Sequence, residues 1–122
     1  MDHRQLVRSL SAGRVVVGAA LIVLPGSAAG PWIGPAANDP TVKVLTRAMG
    51  VRDLALGVGT MRALAAGEPA RDWTLAGGVS DLVDAGATLL AFRRLGARRA
   101  IPLMVIATVA AVASYVAAER LD

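Results

Sequence analysis

Four stretches of small and apolar residues, divided by glycine, proline and charge, set the plan of this chain. The first core is Val15 to Leu24, VVVGAALIVL. Alone it is short for a membrane span. Counted from Leu6, with Arg8 and Arg14 snorkelling, it reaches roughly 28 Å at the helical rise. Pro25-Gly26 stops it. Pro25 to Asp39 reads as loop, because Gly30-Pro31, Gly34-Pro35 and Asn38-Asp39-Pro40 are turn signals. Trp32 and Ile33 would rest at the lipid headgroup level or, the preferred reading, pack on the end of the helices. Asp39 followed by Pro40 is a helix start, an acceptor at the cap and proline at the first position. The second helix then runs from Pro40 to about Ala66, where Gly67 and Pro69 end it. Asp72 is expected to cap a third helix from Trp73 to about Leu95, closed by Gly96. A fourth runs from Ala100 to about Glu119, and its stretch Ala100 to Ala118 is uncharged. The expected helices are therefore about 6–24, 40–66, 73–95 and 100–119. Short connections make the last three antiparallel neighbours.

Composition moves this pattern toward lipid. Of 122 residues, 55% are hydrophobic and 18% charged, and only four are Phe, Trp or Tyr. Aromatic rings dominate soluble cores, whereas close helix packing in lipid uses Gly, Ala, Ser and Thr. The predicted fold is all-α: one domain over residues 1–122, a membrane-embedded bundle of about four transmembrane helices in up-down antiparallel order. The expected location is the bacterial cytoplasmic membrane, multi-pass. A basic start, an apolar run and the small residues Ser27-Ala28-Ala29 also fit a cleaved signal peptide. Retention of the first helix is the preferred reading.

The chain has no cysteine and one histidine, His3 in the leading tail. This removes disulfides, thiolate chemistry, cysteine zinc sites and haem ligation by an internal histidine. No catalytic residue, metal or cofactor is expected. The net charge of +4 comes mostly from arginines at the ends of apolar runs. They form no stripe interleaved with aromatics, so no nucleic-acid partner is expected.

The charged residues inside the helices carry the most information. Arg52-Asp53 falls at the middle of the second helix, and Asp81 and Asp84 lie in the third. Such groups in a span are expensive unless they neutralise one another. Thr46, Gly50, Asp53, Gly57 and Thr60 share one face of the second helix. Thr74, Gly77, Asp81, Asp84 and Thr88 share one face of the third. Small residues at this spacing let backbones approach closely. The two faces are expected to meet, with Gly50, Gly57 and Gly77 as packing positions. Arg52 points off its small face, so an Arg52–Asp84 pair requires the side chain to reach around the helix. With Arg52 as the one central cation, Asp53, Asp81 and Asp84 should not all ionise in a low-dielectric site. One reading is a proton- or cation-responsive site. The other, preferred, is a polar clasp that fixes helix register. Arg93, Arg94, Arg98 and Arg99 would contact anionic headgroups or act as a positive-inside signal, the second being preferred. Orientation stays open, since the basic N-terminus and this basic loop fall on opposite membrane faces.

The run GVRDLALGVGTMRAL, followed by GGVSDLVDAGATLL, resembles a family of small bacterial four-helix integral membrane proteins whose shared domain has no assigned function. The resemblance covers most of the chain, from the Gly18 region to the last helix. Its most specific piece is Gly50 to Gly57, GVRDLALG, with the later aspartates second. It implies an integral membrane bundle that keeps its first helix, and no activity. The expected role is non-enzymatic: a structural or accessory subunit that self-associates or joins a larger membrane complex, with the lipid bilayer as its other partner. The alternative is a small proton- or cation-coupled carrier using Asp81 and Asp84. A lipid enzyme is the weakest reading, for want of a nucleophile or metal motif.

Overall fold

The structure is a computed structural model and describes residues 2–121. Among these residues it is all helical, with no strand. Helix α1 spans His3–Val23 and opens with a capping box. Asp2 accepts from the Gln5 N–H at 2.7 Å, and the Gln5 side chain accepts from the Asp2 N–H at 3.4 Å. The basic lead is thus helical from its third residue.

The expected loop at 25–39 is a correction. It folds as helix α2, Pro25–Ile33, followed by a 3-10 helix over Gly34–Asn38. Pro25 sits at the start of α2, where its missing N–H costs nothing. Ala29 and Ala37 bury their methyls with Leu21. Pro25-Gly26, Gly34-Pro35 and Asn38-Asp39-Pro40 therefore mark changes of direction between helical pieces, while Gly30-Pro31 lies inside α2. The sharpest is at Gly34, whose φ of +84° suits glycine.

Helix α3 spans Pro40–Ala66. The Asp39 carboxylate accepts from the N–H of Thr41 and Val42 at 2.8 and 3.4 Å. At the other end Gly67 turns left-handed, with φ +69°. Its N–H donates to Leu64 O, and Glu68 N–H donates to Ala63 O at 2.9 Å, the paired bonds of a Schellman stop. Helix α4 spans Arg71–Leu90, α5 spans Phe92–Leu95, and α6 spans Ala97–Glu119. Asp72 does not cap α4. It lies in the first turn, where a carboxylate still favours the positive end of the dipole. A break at Ala91 divides the expected third helix into α4 and α5.

Helices α1 and α3 pack antiparallel as one pair, and α4 and α6 as the other. This corrects the expected meeting of α3 with α4. The small face of α3 is occupied by α1. A Cβ on Gly50 would stand 2.7 Å from Gly18 O, one on Gly18 would stand 2.6 Å from Gly50 O, and one on Gly57 would stand 2.7 Å from Ser11 O. On the other side, Gly78 lies against Ala111 and Ser114 of α6, while Gly77 lies under the Arg14 guanidinium of α1. Small residues on α3 were readable as a packing face, but a glycine face does not name its partner. Helix α4 touches α3 more narrowly, through the Trp73 ring over Gly59 and through Arg52.

Two apolar clusters close the ends of the molecule. One gathers Val7, Ala63, Leu64, Ala70, Ala117 and Leu121; the other gathers Leu21, Ala29 and Ala37 with Met49 and Ile33. Large apolar side chains also cover the outside: Val16, Leu45, Leu82, Leu90 and Val109 are exposed. Helices α1 and α6 are long and apolar enough to cross a membrane, with mean hydropathy of 1.7 and 2.1 in their best windows. Helices α3 and α4 have 27 and 20 residues but carry charges in their interiors.

Candidate functional site

Between the two apolar ends lies a cluster of five charged side chains. They come from three helices, α1, α3 and α4. Arg14 projects from the middle of α1 and meets Asp81 of α4 in a two-point ion pair, at 3.0 and 2.6 Å. Its Nη2 also donates to Ser114 Oγ of α6 at 3.4 Å. Arg52 of α3 donates to both oxygens of Asp84 on α4, at 3.1 and 2.8 Å. The same guanidinium donates from Nε and Nη2 to Oδ1 of its neighbour Asp53, at 3.2 and 3.1 Å. Bidentate guanidinium–carboxylate pairs are the strong, orienting kind.

The placement of Arg52 follows from the helix. Successive residues turn by about 100°, so Arg52 lies on the flank beside the small face that Asp53 shares. Helix α1 occupies that face and α4 stands at the flank. Arg52 therefore reaches sideways to Asp84 and back to Asp53.

The sequence reading missed Arg14. Its place before an apolar run reads as part of the snorkelling lead of the first segment. Yet it sits in mid-helix, nine residues before the Val23 end of α1, a distance of roughly 14 Å at 1.5 Å per residue. That depth was the available signal. The charge count changes with it: two guanidiniums face three carboxylates, where one was expected. The surplus is a single negative charge. The Arg14 and Asp81 side chains are 12% and 13% exposed, against 43% and 48% for Arg71 and Glu119 at the surface. The central pair is the desolvated one.

Hydroxyl groups complete the surroundings. Thr88 donates to the Asp84 backbone carbonyl at 2.6 Å and accepts from Trp32 Nε1 at 3.1 Å. Trp32 thus anchors α2 to α4, one step from the charged cluster. Ser11, Thr46, Thr60 and Thr74 each donate to the carbonyl four residues back, which lets them be buried without leaving the helix. Among the described residues no buried side-chain nitrogen or oxygen lacks a partner.

A cleft of about 450 Å³ opens over the cluster between α1 and α6. Asp53, Asp81, Asp84 and Arg14 line it. Its walls are apolar, with Leu10 and Val17 from α1 and Leu103 and Ile106 from α6. Among the described residues no three Asp, Glu, His or Cys groups converge on a point that would hold a metal. The carboxylates are spread along the cleft and divided between two guanidiniums. What the arrangement can do chemically is bind charge, hold helices in register, or relay a proton between carboxylates.

Of the remaining positions read from the sequence, Gly50 and Gly57 lie at the α1–α3 contact and Gly77 beneath Arg14. Arg93, Arg94, Arg98 and Arg99 are exposed around α5 and the start of α6, away from the cluster. Comparison with protein-family models, with curated proteins and with solved structures finds no match to this chain.

Proposed function

We propose that this chain is a non-enzymatic integral membrane protein of the bacterial cytoplasmic membrane, a four-helix bundle acting as a structural or accessory subunit. Its Arg/Asp centre serves as a clasp. One observation carries this reading: both two-point Arg–Asp pairs cross between the α1–α3 pair and the α4–α6 pair. In lipid the hydrophobic effect does not press helices together, so polar contacts and close packing must do so. The exposed apolar surface and the two helices able to cross a membrane support the bilayer setting.

A second reading, the small cation- or proton-coupled carrier, is favoured by the cleft that opens on the three carboxylates. Two measurements separate the readings. Purified protein in sealed liposomes is tested for proton flux driven by small monovalent cations and amines. Gentle detergent extraction from native membrane is followed by mass analysis of what co-purifies. The clasp reading expects no flux above empty liposomes and recovery of a stoichiometric partner or a defined oligomer. Flux that Asp81→Asn and Asp84→Asn abolish, while both variants remain folded, would replace it by the carrier.

A further inference from the structure

The two ends of the molecule differ in charge. At the end built from α2, the start of α3 and α5, six cations stand against one carboxylate: Lys43, Arg47, Arg93, Arg94, Arg98 and Arg99 against Asp39. That is a net charge of +5. Asp39 is already engaged as the α3 cap, and none of the six cations makes an ion pair among the described residues. At the opposite end, five arginines stand against four carboxylates among the described residues, and Arg71 pairs with Glu119. The excess positive charge of the chain is therefore concentrated on one end.

That end also has shape. A cleft of about 670 Å³ lies between Pro31 and residues 95–99, lined by Arg98 and Arg99. The Arg99 guanidinium lies against Gly34, where a Cβ would come within 2.9 Å of its Cζ, so the side chain is steadied by the 3-10 turn. Helix α6 begins here without a side-chain cap, and its 23 residues direct a positive dipole end toward the same cleft. Directly along α6 runs a second, apolar groove of about 380 Å³, lined by Phe92, Ile101, Met104 and Val105. Arg98, Ile101 and Val105 follow steps of three and four, so Arg98 and the apolar groove share one helix face, while Arg99 lies on the flank toward Gly34.

We infer that this end is a binding site for an anionic phospholipid, with the phosphate headgroup among Arg98, Arg99 and the α6 N-terminus and an acyl chain along the Ile101–Val105 groove. The inference rests on the membrane reading above. The paired chemistry selects it over a free phosphate. A phosphate ion would use the basic cleft and leave the groove empty, whereas a phospholipid satisfies both. A juxtamembrane cluster of arginines attracts anionic headgroups, and guanidinium groups bind phosphate in two-point geometry.

The test uses the full chain in mild detergent, with native mass spectrometry counting bound lipid after addition of phosphatidylglycerol or phosphatidylcholine. Retention of phosphatidylglycerol over phosphatidylcholine is expected. Arg98→Gln with Arg99→Gln should weaken retention by about tenfold or more, and Arg4→Gln with Arg8→Gln, at the opposite end, should leave it unchanged. Ile101→Asn should weaken lipid retention as well. Equal retention of the two lipids, or equal loss from both double variants, overturns the site. Displacement of the lipid by glycerol phosphate at equal concentration overturns the phospholipid in favour of a free phosphate ester. Far-UV circular dichroism confirms that each variant is folded; the four arginines are not part of either apolar cluster. Membrane fractionation of the wild type separates the two failures. A chain absent from the membrane fraction sinks the membrane reading, and a membrane chain without lipid selectivity sinks the site alone.

Discussion

Replacing Arg14 by methionine removes one central cation while keeping much of the side-chain volume. The centre would pass from two guanidiniums against three carboxylates to one against three. Asp81, whose side chain is 13% exposed, would lose both of its guanidinium contacts at 3.0 and 2.6 Å. Breaking one side of a buried ion pair costs about 3–5 kcal/mol, since the remaining charge stays desolvated and uncompensated. Replacing both partners should be far milder. Arg14→Met with Asp81→Leu restores the surplus to the single negative charge of the wild type, and apolar replacement of a buried pair is often neutral or stabilising by about 1–4 kcal/mol. The surface pair supplies the scale: Glu119→Gln, at a site 48% exposed, should cost about 0–1 kcal/mol. Reversible unfolding in mixed micelles, followed by far-UV ellipticity, measures these three variants and Asp81→Leu alone, which completes the cycle that gives the coupling between Arg14 and Asp81. If Arg14→Met costs no more than Glu119→Gln, the centre is wet and the clasp fails. If the double variant is as unstable as the single one, the loss lies in packing and the charge reasoning is wrong.

Two further outcomes follow from the backbone. Gly57→Leu should separate α1 from α3, because a Cβ there already meets Ser11 O at 2.7 Å, whereas Val58→Leu, at an exposed site, should cost little; a cross-link between cysteines placed on α1 and α3 reads the separation, and equal effects would refute the face assignment. Gly67→Ala should lower stability by about 1 kcal/mol; the site has φ +69° and open space around it, so a melting shift reports backbone strain alone, and no shift would mean the left-handed stop is dispensable.

Much of the helical layout was legible because its signals are local. Asp39-Pro40 and Gly67 bracket α3 through hydrogen bonds made within a few residues, which a linear reading can anticipate. The central charges were legible because Arg52, Asp53, Asp81 and Asp84 interrupt otherwise apolar helices. The pairing was not. Gly50 and Gly57 announce close approach without saying to which helix, and α1 fits them through Gly18 and Ser11. Arg14 escaped because a single arginine in an apolar run looks like a boundary marker until its depth is counted. The α2 region escaped for a different reason. Proline and glycine forbid long helices more firmly than short ones, and Pro25 at a helix start is permitted.

The division of charge between the two helix pairs has a further meaning for how the molecule comes together. The α1–α3 hairpin brings Arg14, Arg52 and Asp53 to the centre, an excess of one positive charge. The α4–α6 hairpin brings Asp81 and Asp84, two negative charges. Neither hairpin is self-sufficient there, and each is the wrong mate for its own copy, since like would face like across the seam. The seam thus matches one half of the polypeptide to the other by charge.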